Sequence, residues 1–410
     1  MNTEDRNIVR DLAKRVAEIA ALPLMAERKR LWRKHNSLQK VRPMILVFPE
    51  GAWSELQPPS ALRCEDKAAR DMEGGLRAQL YQHEHFDADN VVEREYAVHK
   101  VIRRSGWGLA AQWHQSAQEK GARGFDPVIR GPEDLAKLRH PVIEYDENAT
   151  QEKLSTMQDL FGDILDVRLR GVSHVSFHLM NLYTSLRGLE QVMLDMYENP
   201  AMLHEAMAFL EEGNRGMVRQ YVEQNLLDLN NDNTYHSSGG VGYTDELPAP
   251  GFRPEQVRPC DMWSSAEAQE MAQVSPAHHE EFILQYEKRL LQPFGLNGYG
   301  CCEDLTAKLD YVLQIPQLRR ISISPWSDVD KCAARLGGRY IFSWKPNPAH
   351  LVGHFDAEAL AAYIGHTVRA AQQSGGVLEM ILKDTHTCEN HPERFDEWCR
   401  LARKAIERTS

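Results

Sequence analysis

The sequence predicts an α/β protein, a (β/α)8 TIM barrel behind an N-terminal helical extension. Short apolar runs bounded by turn residues recur along the chain, and stretches with a 3.6-residue period separate them. From about residue 163 onward the two alternate regularly, the rhythm of parallel βαβ units.

Residues 1–40 form the extension, with Ile8, Leu12, Val16 and Ile19 on one helical face and charges opposite. Residues 41–410 form the barrel. "MILVF" follows Pro43 and reads as a strand buried on both faces. "GPEDLAKL" starts a helix, with Pro132 near its first position and acids in the first turn. "GVSHVSFHLM" precedes the long helical stretch "GLEQVMLDMYENPAMLHEAMAFLEEGNRGMVRQYVEQ", and "SGGVGYTDELPAPGF" reads as an excursion loop. Four strands follow: "GLNGYG", "LRRISISPW", "RYIFSWKPNP" and "VLEMILKDTHT". With "MILVF" and the runs near 92, 172 and 227, the count reaches eight.

Composition removes several classes. Of 410 residues, 42% are hydrophobic and 26% charged, which is ordinary globular usage. A formal charge of −11 without a long basic tract argues against nucleic acid as a partner. No apolar run is long enough for a bilayer, and "MNTEDRNIVRD" lacks a signal-peptide core. Seven scattered cysteines fit free or metal-bound thiols in the cytoplasm better than a disulfide framework.

Catalytic groups of such barrels gather where strands end. Here those ends supply Cys301, Cys302 and Glu303; Ser322, Ser324 and Trp326; Trp344 and Lys345; and Lys383, Asp384, His386 and Cys388. Thiolate, imidazole and carboxylate from separate strands are the donor set of a catalytic Zn²⁺ with one open position. The competing reading makes both cysteines small core residues. Adjacent strand residues point to opposite faces, so both sulfurs reach one pocket only where the strand has ended. His386 and Cys388 have ligand spacing, yet could equally cap a turn and start a helix. Lys345 is either an anion partner inside the barrel or a solvated rim residue. Asp232 and His236, in "NNDNTYHSS", suit an acid/base pair or a substrate clamp, although such loops are common without function. Nucleophile-elbow, P-loop and dinucleotide-binding motifs are absent.

"YGCCEDL", "ISISPWSD", "SWKPNPAHL", "ILKDTHTCENHPERFDEW" and "LRGLEQVMLDMYENPAMLHEAM" resemble the uroporphyrinogen decarboxylase superfamily, over about residues 160–405. They resemble most its methyltransferase-type members, relatives of zinc-dependent corrinoid/coenzyme M methyltransferases and cobalamin-independent methionine synthase. The arginine segment with which the decarboxylases bind porphyrinogen carboxylates is missing, and "VFPEGAWSEL" stands near its place. The methyltransferases' His-x-Cys pair is also altered, with Tyr299 or Gly300 at the histidine position.

The resemblance implies transfer of a methyl group between a small methylated or methoxylated substrate and a corrinoid or thiol acceptor. It implies Zn²⁺ on a thiolate of Cys301 or Cys302 with His386 or Cys388, and Glu303 as a further donor. Lys345 and Asp384 would orient substrate or ligands, and Trp263, Trp326, Trp344, Tyr243 and Tyr299 would line the pocket. Any corrinoid would arrive on a separate protein or free in solution, and a homodimer is compatible. Two alternatives stand beside this reading. One is a metal-free decarboxylase or other lyase, with Asp232 or Asp384 stabilising a developing cation and Lys345 holding a carboxylate. The other is a non-catalytic barrel that binds a small molecule.

Overall fold

The computed structural model describes residues 1–114, 124–236 and 238–408. Thirteen strands are defined among them. Seven form one parallel sheet: β1 (Met44–Val47), β8 (Ser176–Phe177), β9 (Trp263–Ala266), β10 (Leu296–Tyr299), β11 (Leu318–Ile323), β12 (Ile341–Trp344) and β13 (Val377–Leu382). Their order is β1-β13-β12-β11-β10-β9-β8. Six shorter strands pair two by two: β2 (Glu95–His99) with β7 (Asp166–Arg170), β3 (Val101–Arg104) with β6 (Ile143–Asp146), and β4 (Gln112–His114) with β5 (Gly124–Asp126).

The strand count differs from the expectation in kind as well as number. The run near 92 leads into β2, which pairs with β7 outside the main sheet, and the run near 227 makes only an isolated bridge, Val172 with Leu227. Conversely, β9 reads "WSSA", too polar and short to stand out as a buried strand. The sheet ends at β1 and β8, so the fold shown is α/β with a seven-stranded parallel sheet.

Side-chain alternation divides the central strands into two faces. Ile321, Ile323, Phe342, Trp344, Leu378, Met380 and Leu382 belong to the large apolar core. Trp344, for example, packs on Tyr363 of the helix Ala357–Gln373, with ring centroids 5.0 Å apart. The intervening residues Arg320, Ser322, Ser324, Ser343, Lys345 and Glu379 are buried and polar. A parallel sheet normally hides both faces behind apolar side chains. This one keeps a polar interior face.

That face is covered from two directions. The helix Pro23–Asn36 inserts its last residues: His35 Nε2 lies 3.0 Å from Glu379 Oε2, and Asn36 Oδ1 accepts from Arg320 Nη2 at 2.6 Å. Arg320 Nε and Glu379 Oε1 complete a fully buried ion pair at 3.0 Å. The second contribution comes from "SGGVGY", whose residues 238–243 are buried across this face instead of looping into solvent. Gly239 and Gly240 have φ of +120° and +65°, and side chains there would collide with Ser343, Arg320 and Glu379. Glycine is what lets the backbone lie so close. The helix Thr3–Ala20 packs through Val9, Leu12 and Val16 into a second core with Trp32, Met44, Leu46 and Ile381. No helix among the described residues is long and apolar enough to cross a membrane, and the cysteines are free.

Burial alone would raise the Glu379 carboxyl, but Arg320 and then His35 outweigh it and hold it at about 2. Replacing Glu379 with Gln or Arg320 with Met strands the other charge, so urea titration will show each single variant destabilised by about 3–5 kcal/mol. The Glu379→Gln, Arg320→Met double variant will lose less than the two losses added. Because the folded carboxyl is depressed, its contribution is complete above pH 4.5, its ordinary value, and disappears as pH falls toward 2. Burial also depresses His35 below 6.5, so proton uptake by the unfolded chain will erode stability below that pH.

Candidate functional site

The carboxyl ends of β10, β12, β13 and β1 deliver the reactive groups to one place. After Tyr299 the chain turns at Gly300, φ +88°, and leaves the strand. That turn removes the alternation constraint, so Cys301 and Cys302 lie side by side with sulfurs 3.5 Å apart. Cys302 Sγ also stands 3.7 Å from Asp384 Oδ2, beyond β13. Cys301 is anchored through its backbone: its N–H donates to Glu303 Oε2 at 2.8 Å, and its carbonyl accepts from Ser322 Oγ at 2.7 Å.

Two lysines face the sulfurs. Lys345 is buried and donates to the Ser238 carbonyl at 3.0 Å and to Ser322 Oγ. Lys383 Nζ lies 3.5 Å from Asp384 Oδ1. Burial lowers Lys345 to about 8, with Cys301 pulling the other way. The two thiols separate in acidity: the hydrogen bond between them and burial raise Cys301, while the same bond lowers Cys302. Lys345 and Lys383 also favour charge on Cys302, while burial and the neighbouring Asp384 oppose it.

The opposite wall carries strain. Glu50, after β1, and Asp384 are non-glycine residues at φ +48° and +58°. The Asp384 N–H donates to Glu50 Oε2 at 2.9 Å. Such conformations cost on the order of 1 kcal/mol or more apiece and cluster at functional sites. Burial, followed by Asp384, raises the Glu50 carboxyl.

Other candidates lie elsewhere. Glu303 is buried with both oxygens on backbone N–H groups, of Cys301 and of Ala268 at 3.2 Å. Cys388 donates to Glu55 Oε2 at 3.2 Å and is pushed up to about 11 by burial and that carboxylate. The His386 side chain is exposed. Among the described residues no group of three or more His, Cys, Asp or Glu side chains is placed to hold a metal ion. The pair with Asp384 offers two sulfurs and one oxygen without imidazole, and two ammoniums already balance them. This does not fit the zinc centre with histidine that the resemblance implies.

Asp232 is bound by Arg170 at 2.5 Å and by Thr234, and His236 lies buried against Trp263, depressed well below its ordinary value by burial. The aromatic wall is not assembled. Trp263 begins β9, at the far end from the sulfurs, and its indole N–H donates to the Gly242 carbonyl at 3.0 Å. Trp344 and Tyr299 face the outer helices, where Tyr299 donates to Glu287 at 2.9 Å. Tyr243 donates to Glu93 at 2.8 Å, and Trp326 is 70% exposed.

Two residues without an assigned role belong near the site. His178, after β8, has Nδ1 2.6 Å from Glu267 Oε1, after β9, and Glu267 acts electrostatically on Cys301. The signal was positional: "WSSAEA" needed to be read as a strand before its glutamate became a strand-end residue.

Iodoacetamide will alkylate Cys302 ahead of Cys301 near pH 8, read by peptide mass spectrometry. Lys345→Met removes a facing ammonium and will slow that labelling by about tenfold, the effect of one pKa unit.

No protein-family model and no curated protein matches the sequence. Among solved structures, the chain is similar in fold to a methyltransferase from Methanosarcina mazei. The TM-score is 0.51 at 11% identity, covering 93% of this chain and 98% of the other. A likeness at that identity concerns the α/β architecture along nearly the whole length of both chains.

Proposed function

We propose that this protein is a methyltransferase whose acceptor is the Cys302 thiolate. The observation that carries the reading is the sulfur pair, 3.5 Å apart, with Lys345 and Lys383 both favouring charge on Cys302. One sulfur keeps the proton so that the other can be a nucleophile. The fold similarity to a methyltransferase and the strand-end motifs support the same reading, and we place the chain among methyltransferase-type members of the uroporphyrinogen decarboxylase superfamily, with the sheet as the main part of a (β/α)8 barrel.

In the proposed step, Cys302 attacks the methyl carbon of a donor. The carbon–sulfur bond forms as the carbon–heteroatom bond breaks, and the electron pair leaves with the heteroatom. Cys301 releases its hydrogen bond to Cys302 as the charge disappears. Lys345, with its value near 8, supplies a proton to a basic leaving group. Turnover then requires a stronger nucleophile to remove the methyl group, and a reduced corrinoid on a separate protein is the class the resemblance suggests. No step is routed through zinc.

The test is incubation with candidate methyl donors followed by peptide mass spectrometry. A methyl group on Cys302, absent in Cys302→Ser, is the expected result, with turnover in that variant down by at least about 10³-fold. The rate will rise as Cys302 ionises and fall as Lys345 loses its proton near pH 8. Near-stoichiometric zinc, lost when both cysteines become serine, would replace this reading with the metal-dependent one.

A further inference from the structure

At the end of β8 opens a cleft of about 520 Å³. Trp107, Trp113 and Phe125 line it, together with His178, Glu270 and the exposed Arg104. Trp113 and Phe125 come from paired strands β4 and β5, with ring centroids 5.2 Å apart. Trp107 is 8% exposed and packs against the helix Pro200–Glu223 at Gly213, where a side chain would collide with the indole. The rings therefore have different supports: one fixed from behind, two carried on the paired strands β4 and β5.

The acid lining this cleft, and a second one paired with its His178, are incompletely used. Glu270 Oε1 accepts from Asn181 at 2.8 Å, but its Oε2 is shielded from solvent with no protein donor. Glu267 repeats the pattern, with Oε1 at His178 and Oε2 buried without a donor. Leaving a buried carboxylate oxygen unmatched costs about 1–3 kcal/mol or more. These acids are not grouped to hold a metal ion. A positive charge spread over a larger, apolar-skinned group matches them better: such a group neutralises carboxylates at longer range and lays its C–H surface on aromatic faces.

We infer that this cleft binds a small compound with an N-methylated ammonium headgroup. Trp107, Trp113 and Phe125 receive the methyl groups, and Glu270, backed by Glu267, provides the counter-charge. Arg104 lies at the exposed side, so a headgroup that also carries a carboxylate suits the cleft. The inference rests on the methyl-transfer reading for the use of the ligand, because a quaternary nitrogen leaves as a neutral amine when a thiolate takes its methyl. It does not rest on that reading for binding.

The experiment is calorimetric titration of the full chain with choline and with 3,3-dimethylbutan-1-ol, which has the same shape with carbon in place of the charged nitrogen. Choline will bind at least about tenfold more tightly than the alcohol, the order expected of a desolvated cation against aromatic rings and a carboxylate. Glu270→Gln will erase most of that difference, and Trp113→Ala, at a 59% exposed position, will weaken choline without unfolding the chain. Thermal melts of both variants serve as the folding control. Equal affinity for the two probes, no saturable choline binding, or an undiminished preference in folded Glu270→Gln would overturn the inference. Charge-selective binding without methylation of Cys302 would leave the cleft standing and remove the methyl-transfer reading instead.

Discussion

The Arg320–Glu379 ion pair is the constraint around which the interior is organised. Both side chains are inaccessible to solvent, and two charges at that depth are tolerable only when they are paired and their neighbours are aligned with them. His35, Asn36 and the glycines at 239 and 240 supply that alignment from two distant parts of the chain. The N-terminal helices therefore complete the interior of the sheet as well as covering its edge. The same packing holds Ser238 against Lys345, so the floor of the fold sets the position of an ammonium next to the sulfurs.

Much of this was legible, because the information was local. The helical period of residues 3–20, the strands "MILVF" and "VLEMIL", and the polar cluster at strand ends all follow from spacing. Lys345 and Trp344 show what was available but unused. They are neighbours on one strand, so they could not both line a pocket, and alternation assigns the tryptophan to the helices once the lysine is placed inside. The same parity sends Tyr299 outward.

What sequence could not show was long-range. Cys388 and His386 carry ligand spacing, but Glu55, more than three hundred residues earlier, claims the thiol. Nothing near "THTC" announces that partner. "SGGVGY" has loop composition, and only its fit against Arg320, Ser343 and Glu379 explains why it is buried. Glycine there answers to contact with other strands, a cause that leaves no periodic trace. His178 and Glu267 were hidden by the polarity of β9, since a strand reading "WSSA" lacks the apolar run by which parallel strands are recognised.

The charges are also distributed with a direction. Lysines 345 and 383 stand behind the sulfurs on the β12–β13 side, while Glu267 and Glu270 stand toward the β8–β9 side with oxygens that no protein donor reaches. One side favours an anion and the other a cation. A methyl group passed as a formal cation from a charged donor to a thiolate cancels both charges, so the transition state is less polar than the reactants. Water would hold those reactant charges by solvation that must be surrendered during the step. Fixed counter-charges on opposite walls hold them in place with little reorganisation, and burial weakens the competing claim of solvent. Such an arrangement matches a donor that brings positive charge to the acidic side, whereas simple storage of a neutral ligand needs no lysines. The polarity of the site is thus the physical basis of the methyl-transfer proposal.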